Sequence, residues 1–514
     1  MTAAEAALET PPSARISPLE DRFDRWRRRW GLLAGPLLAL GVYFWAAGYD
    51  PPSRRLAAVL TLVVTYWVTE AIPIPATALL GPALCVLLGI ATARAGFAPF
   101  ADPVIFVFLG GFLLARGMAV NGLDRRVALR VLSLPGVGSS PLRVMVAGGL
   151  VATALSMWIS NTATTAILFP IMLGVIGTLE AVVAETAPGA STERYATGVL
   201  LMTAYASSVG GIGTPVGTPP NLIGLGMIEN LVQRHISFFE WMVLNLPIML
   251  VMFIVLAVML GLLHRAPVRR VTGLQTRLAE LRAGVQPWHR AQTYTVIAFL
   301  TAVSLWVLPG ILAVALGAEH PTAVAVSTRL HEGVAALLGA SLLFLLPVSW
   351  RQGRAALTWR DAVKIDWGTI LLFGGGLSLG RLMYETGLAR AWADSLLQYG
   401  ELTTPWGLTA VAIILAILIT EVTSNTAATS MIVPVVIAVA QAAHVSPLPP
   451  ALGATIGASL AFMLPVSTPP NAIVYGSGRV HILAMLRAGV LIDACGFVVV
   501  WSLLRLLCPL LGFL

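Results

Sequence analysis

With 514 residues, 57% of them hydrophobic, only 11% charged and a mean hydropathy of +0.85, the chain is too apolar for a water-soluble fold of its length. Its net charge of +8 does not point to nucleic acid, because the basic residues lie in connections beside apolar stretches and show no aromatic-interleaved pattern. The cysteines Cys85, Cys495 and Cys508 sit in apolar segments without CxxC or Cys/His spacing and are assigned to packing. The histidines mostly flank apolar segments, and no HExxH pattern or carboxylate cluster marks a metal site or proton relay.

Residues 1–30 are acidic and then Arg-rich, with no short apolar core and cleavage site, and read as a disordered cytoplasmic flank rather than a secretory signal. The first helix falls within 31–54. Apolar stretches of membrane-spanning length follow near 55–71, 73–91 and 103–120, then a hairpin around Ser160, a broken helix around Gly217 and a span near 241–263. A second set follows near 291–316, 333–349 and 367–386, with a hairpin around Ser424, a broken helix near Pro469 and a last span near 487–513. The expectation is an all-α polytopic membrane protein with about eleven crossings plus two re-entrant hairpins. The arginines support a cytoplasmic N-terminus and an outer C-terminus in a bacterial inner membrane. Arg125, Arg126, Arg130 and Arg143 follow the fourth span, and Arg265, Arg269, Arg270, Arg277, Arg282 and Arg290 fill the central connection. Arg54 and Arg55, on an expected outer loop, are the exception.

The chain repeats itself. Phe108-Leu109-Gly110-Gly111 returns as Phe373-Gly374-Gly375-Gly376, Ser160-Asn161-Thr162-Ala163 as Ser424-Asn425-Thr426-Ala427, and Thr218-Pro219-Pro220-Asn221 as Thr468-Pro469-Pro470-Asn471. Three motifs in one order at nearly constant offset make a duplication. An odd number of crossings in each half places the halves upside down to one another, and paired interruptions in two such halves point to a transporter's binding site. The glycine runs read as close helix packing.

Ser, Thr and Asn favour helix N-caps, and an early proline gives up only an unpartnered N–H, so each interruption reads as a loop that starts a half-helix. The N–H groups and positive dipole ends at Thr162, Thr218, Thr426 and Thr468 suit an anion. Free carbonyls and side-chain oxygens at the same breaks suit a hard cation such as Na⁺. Asn161 and Asn425 have an oxygen for the cation and an NH₂ for the anion, which makes each ligand's binding depend on the other. No Arg or Lys lies in the motifs, so co-bound sodium is the expected source of positive charge. Glu70 and Glu421 are the carboxylates at membrane depth; a structural role is expected for both, and Glu421 is also a candidate for a proton or cation. Asp493 reads as a partnered charge at a helix start.

The doubled Ser-Asn-Thr, the two Thr-Pro-Pro-Asn breaks and Trp67-Val68-Thr69-Glu70-Ala71-Ile72-Pro73-Ile74-Pro75 together resemble the divalent anion/sodium symporter family, from about residue 30 to the end. The resemblance implies one sodium site at Ser156, Ser160, Asn161, Gly213 and Gly217, and another at Thr420, Thr423, Asn425 and Ser467. It implies that substrate carboxylates meet Asn161, Thr162, Thr218 and Pro219 from one half and Asn425, Thr426, Thr468 and Pro469 from the other. It further implies a homodimer of elevator carriers. Repeat 1 spans 55–264, with scaffold helices to about 120, an arm at 121–143 and transport helices at 144–264. A cytoplasmic linker follows at 265–290. Repeat 2 spans 291–514, with scaffold helices to about 386, an arm at 387–405 and transport helices at 406–514. The expected cargo is a divalent anion, most readily a C4-dicarboxylate, with Na⁺ as coupling ion and no other cofactor. The alternatives are a dicarboxylate exchanger, a proton-coupled carrier using Glu421, an anion channel, or an arsenite-type export subunit with a separate ATPase. No nucleophile and base pair suggests an enzyme.

Overall fold

The computed structural model describes residues 18–134, 137, 140–268, 273–397 and 404–514. Residues 1–17 of the N-terminal flank, 269–272 of the central connection, Arg269 and Arg270 among them, and parts of both arms (135, 136, 138, 139 and 398–403) lie outside the described residues.

Apolar runs become helices wherever a proline or a capping side chain starts them. Before the helix Pro103–Val120, for example, Asp102 accepts from the Val104 N–H at 3.0 Å and Pro103 opens the first turn. The chain begins with an antiparallel pair, α1 (Pro18–Trp45) and α2 (Pro51–Thr69), then α3 (Ile74–Leu87), the short α4 (Ala93–Phe97) and α5 (Pro103–Val120). The arm helix α6 (Leu123–Leu132) leads to the hairpin of α7 (Pro141–Ser156) and α8 (Asn161–Thr186). The broken pair α9 (Glu193–Gly211) and α10 (Pro219–Val232) follows, then α11 (Phe238–Leu263) and the connecting α12 (Leu274–Ala283). The second half has α13 (Arg290–Leu316), α14 (Pro321–Arg329) and α15 (Glu332–Leu345), a ribbon of β1 (Pro347–Ser349) and β2 (Arg354–Ala355), and the single turn α16 (Trp359–Ala362). It continues with α17 (Trp367–Glu385), the arm helix α18 (Leu388–Leu397) and the hairpin of α19 (Pro405–Val422) and α20 (Asn425–Ala442). The broken pair α21 (Leu448–Gly457) and α22 (Pro469–Tyr475) and the long α23 (Ile482–Leu510) end it.

The duplication is visible in the packing. Helix α3 of the first half lies on α17 of the second, and α15 of the second lies on α5 of the first. A Cβ added at Gly110 would fall 2.5 Å from that of Ala336, and one at Gly375 only 2.2 Å from the Ala78 carbonyl oxygen. The repeated glycines therefore sit where two matched helix pairs approach backbone to backbone. Likewise α10 packs on α20 while α22 packs on α8 and α9, so the broken helices interlock across the halves.

Seven helices among the described residues are by themselves long and apolar enough to cross a bilayer, and an eighth span arises if the bent pair α14–α15 counts as one. Of the eleven expected crossings, the shorter or more polar α1, α2, α3 and α17 and the two broken pairs fall outside that criterion, while three of the seven helices that meet it, α8, α19 and α20, belong to the hairpins. Three expectations need correction. Residues 18–30 are not disordered but form the first half of α1, where Arg27 and Arg28 each lie 3.3 Å from Glu70. Glu70 itself ends α2 in the left-handed conformation with φ 48°. The helix expected over 31–54 ends at Trp45, because Pro51 and Pro52 start α2. Arg54 and Arg55 are thus first-turn residues: Arg54 stacks 3.9 Å from the Tyr43 ring centroid and Arg55 donates to the Leu88 carbonyl at 3.0 Å. The span expected over 333–349 stops at Leu345, and Pro347 opens the ribbon instead.

Candidate functional site

Four loops open four helices around one cavity of about 560 Å³. Ser160–Thr162 precede and begin α8, Gly217–Pro219 begin α10, Ser424–Thr426 begin α20 and Ser467–Pro469 begin α22, and all of these line it. The remaining wall comes from α5 between Gly111 and Ala119, from Asp124, and from Lys364 to Thr369 at the start of α17. Ser160 accepts from the Ala163 N–H at 3.3 Å and Ser424 from the Ala427 N–H at 3.2 Å, so both Ser-Asn-Thr motifs are true helix caps. Helices α8, α10 and α20 have 26, 14 and 18 residues, whereas α22 has only seven. A full-length helix end carries roughly half a positive charge, so three such ends offer about 1.5 charges to an anion. The short α22 adds chiefly its main-chain N–H groups.

Behind each hairpin lies a nest of oxygens. In the first half Ser156 Oγ donates to Asn161 Oδ1 at 2.7 Å. A Cβ added at Gly217 would lie 2.6 Å from the Gly211 carbonyl oxygen and 3.0 Å from that of Ser156, and one at Gly211 would lie 2.5 Å from Asn161 Oδ1. Only glycine allows these oxygens to converge. In the second half Thr420 Oγ1 lies 2.7 Å from Asn425 Oδ1 and 2.8 Å from the Ala458 carbonyl oxygen, with one proton to share between them, while the buried Thr423 hydroxyl has no hydrogen-bond partner among the described residues. Neutral oxygens gathered this closely, with an unpartnered buried hydroxyl, fit a monovalent hard cation better than a transition metal. Both asparagines turn the oxygen inward to the nest and begin helices that face the cavity.

The structure therefore brings the eight expected substrate residues together around the cavity. Of the expected sodium residues, Ser160, Asn161, Gly217, Asn425 and Ser467 line the same cavity, whereas Ser156, Gly213, Thr420 and Thr423 lie behind it, all buried. At Gly213 an added Cβ would meet the Met249 sulfur at 2.7 Å, so that glycine sits against α11.

The contacts that hold these loops were not legible in the motifs. The asparagines that end the Thr-Pro-Pro-Asn runs tie the preceding loops down: Asn221 Nδ2 donates to the Gly211 and Thr214 carbonyls at 2.8 Å each, and Asn471 Nδ2 to those of Ala461 and Leu464 at 3.0 Å each. Their matched position in the repeat was the available signal. Glu421 is buried and accepts from the Met463 N–H at 2.9 Å, the Leu464 N–H at 3.2 Å and the Ser467 hydroxyl at 2.5 Å, in line with a structural tie. Asp493 is not a partnered charge at a helix start. It lies inside α23, buried against the Glu421 carboxyl and the main chain at Phe462.

Comparison with known proteins bears on this arrangement. A sodium-dependent dicarboxylate transporter, SdcS, of Staphylococcus saprophyticus is 32% identical over 484 residues, covering 93% of this chain and 91% of that protein. The SdcS of Staphylococcus aureus is 33% identical over 479 residues, covering 91% and 89%. Among solved structures, the YdaH transporter of Alcanivorax borkumensis has a similar fold, with a TM-score of 0.53 and 14% identity over 90% of this chain and 99% of that one. MtrF of Neisseria gonorrhoeae has a TM-score of 0.54 and 13% identity over 82% and 83%. The model of the sodium:sulfate symporter transmembrane region matches residues 28–514. A polytopic α-helical membrane protein with a duplicated set of helix breaks around one cavity, this chain belongs to the sodium:sulfate symporter family.

Proposed function

We propose that the protein is a secondary carrier that moves a divalent anion, of the C4-dicarboxylate class, together with Na⁺. The observation that carries this reading is the pair of asparagines. Asn161 and Asn425 each join an oxygen nest behind a hairpin to a helix N-terminus that faces the shared cavity. Sodium held at Ser156, Ser160, Asn161, Gly213 and Gly217, and at Thr420, Thr423, Asn425 and Ser467, orients the amides and brings charge next to an anion that meets no basic residue in the motifs. The carboxylates lie against Asn161, Thr162, Thr218 and Pro219 from one side and Asn425, Thr426, Thr468 and Pro469 from the other. The similarity to sodium-dependent dicarboxylate transporters supports this choice of cargo.

In this reading α2, α3, α5, α13, α15 and α17 form a scaffold, and the hairpins, broken helices and α11 and α23 move against it as an elevator in a homodimer. The arms α6 and α18 connect the two parts. Arg116 of α5 and Lys364 before α17 line the cavity, and by the preference of basic residues for the inner face they support a mouth on the cytoplasmic side of an inner membrane, with the N-terminus inside and the C-terminus outside. The chain carries out transport, not catalysis.

Purified protein in liposomes tests the proposal. Accumulation of labelled succinate under an inward sodium gradient is the expected result. Uptake that depends on internal counter-substrate instead of sodium identifies an exchanger, and a conductance without saturation identifies a channel. Sulfate is a second candidate, favoured by the family description. Thermal stabilisation across succinate, malate, citrate, sulfate and thiosulfate, each with and without sodium, ranks the anions.

A further inference from the structure

At the end of α5 away from the cavity, four ionisable side chains meet that the transport site does not use. His235 sits in the loop between α10 and α11, with Nδ1 3.3 Å from Glu229 Oε1 and Nε2 3.3 Å from Glu332 Oε1. The His331 ring lies 5.9 Å away, centroid to centroid, and a ligand atom from each of Glu229, His235 and His331 falls within 4.8 Å of the others. The sequence showed neither HExxH nor any short spacing here, because the three residues come from the end of α10, the following loop and the cap of α15.

We propose that Glu229, His235 and His331 form a binding site for a divalent transition metal, best suited to Zn²⁺, that fastens α10 to α15. Two imidazoles and one carboxylate are a ligand set typical of zinc, with a fourth position left for water. Ligands about 2.0–2.1 Å from the ion stand roughly 3.3 Å apart in a tetrahedron, which is the Glu229–His235 separation. Glu332 supplies the outer support. It accepts from the other His235 ring nitrogen and, at 3.3 Å, from the Phe238 N–H, so it holds the imidazole in the orientation a metal needs. Hydrogen bonds to Glu229 and then Glu332 raise the pKa of His235 to about 10, so without metal the ring holds a proton; the ion takes its place and the proton leaves to solvent. His331 Nδ1 accepts from the Gly333 N–H at 3.1 Å, and ligation through its other nitrogen exchanges that helix cap for a metal bond.

The position gives the site its consequence. Helix α10 begins at Pro219 in the transport cavity and ends beside Glu229, whereas α15 packs on α5. Asn230 Nδ2 already donates to Asp102 Oδ2 at 3.0 Å across the same junction. A bound metal therefore holds the moving part against the scaffold and arrests transport; this last step rests on the elevator reading above.

The test uses the full chain, titrated with Zn²⁺ and Co²⁺ without substrate. One ion per chain and the absorption of tetrahedral Co²⁺ are expected, with affinity lowered about tenfold or more in His235→Ala and in His331→Ala, and less in Glu332→Gln. His235 is 45% exposed, so its truncation opens no core, and melting in EDTA checks that the variants are folded. Absence of binding to the folded wild type, or wild-type affinity in the double variant, overturns the site. Zinc should also slow uptake by the wild type and not by the double variant. Binding without inhibition overturns the fastening role, whereas zinc binding by a protein that transports nothing leaves the site intact and sinks the carrier reading.

Discussion

The two oxygen nests perform one geometric task with different chemistry. In each, the turn after a hairpin's first helix must be tied to the loop before a half-helix. In the first half the Thr214 hydroxyl donates to the Met157 carbonyl, and glycine at 217 leaves room for the carbonyls of Ser156 and Gly211. In the second half the position matching Met157 is Glu421, whose carboxylate takes two main-chain N–H groups and the hydroxyl of Ser467, the residue that matches Gly217. One tie is a neutral hydroxyl bound to a main-chain carbonyl; the other is a buried carboxyl group. The duplication therefore preserved backbone geometry, which the helix ends require, while side chains diverged wherever another donor and acceptor pair could hold the same loop.

Removing the carboxyl tie should have the largest effect. Glu421→Ala takes the acceptor from the main-chain N–H groups of Met463 and Leu464, leaves the Ser467 hydroxyl only the main-chain carbonyl of residue 421, and should cost about 3 kcal/mol or more in a melting experiment, with Glu421→Gln costing about half as much. If Glu421→Ala melts with the wild type, the tie is not structural and the contrast between the halves fails. Asn161→Ala and Asn425→Ala should each weaken sodium and anion together, by about tenfold or more, because an amide that contacts both ligands is worth about 1.5–3 kcal/mol. Substrate-dependent melting over a sodium series measures both affinities, and loss of the anion alone breaks the bridging role. Gly217→Ala should lower sodium affinity about tenfold, since its Cβ overlaps the Gly211 carbonyl, whereas Ser467→Ala adds no atoms and should change it less. Unchanged sodium affinity in Gly217→Ala would show that the first nest tolerates a side chain as the second does. The smallest change is expected for Thr214→Val, about 1 kcal/mol of stability with transport retained, read as the shift in melting temperature.

The breaks in the helices were legible because Ser-Asn-Thr and Thr-Pro-Pro-Asn are local chemistry: caps and early prolines act within one turn of the chain. The repeat was legible for the same reason, as three short motifs kept their order. The helical arginine stretch before residue 31 was not legible, because Glu70 of another helix holds Arg27 and Arg28. The cluster of Glu229, His235, His331 and Glu332 was equally invisible, since it joins segments about a hundred residues apart.

Composition and the doubled motifs by themselves determined that the chain lives in lipid, folds as two related helical halves and breaks its helices at four matched places. Hydrophobic length, capping and repetition are properties of the chain read along itself. Only the tertiary structure decided that all four breaks face one cavity, that Gly217 makes room for two carbonyls, and that Glu421 ties one nest while Thr214 ties the other. These are contacts between distant segments, fixed by which helix packs on which, and no local pattern encodes them.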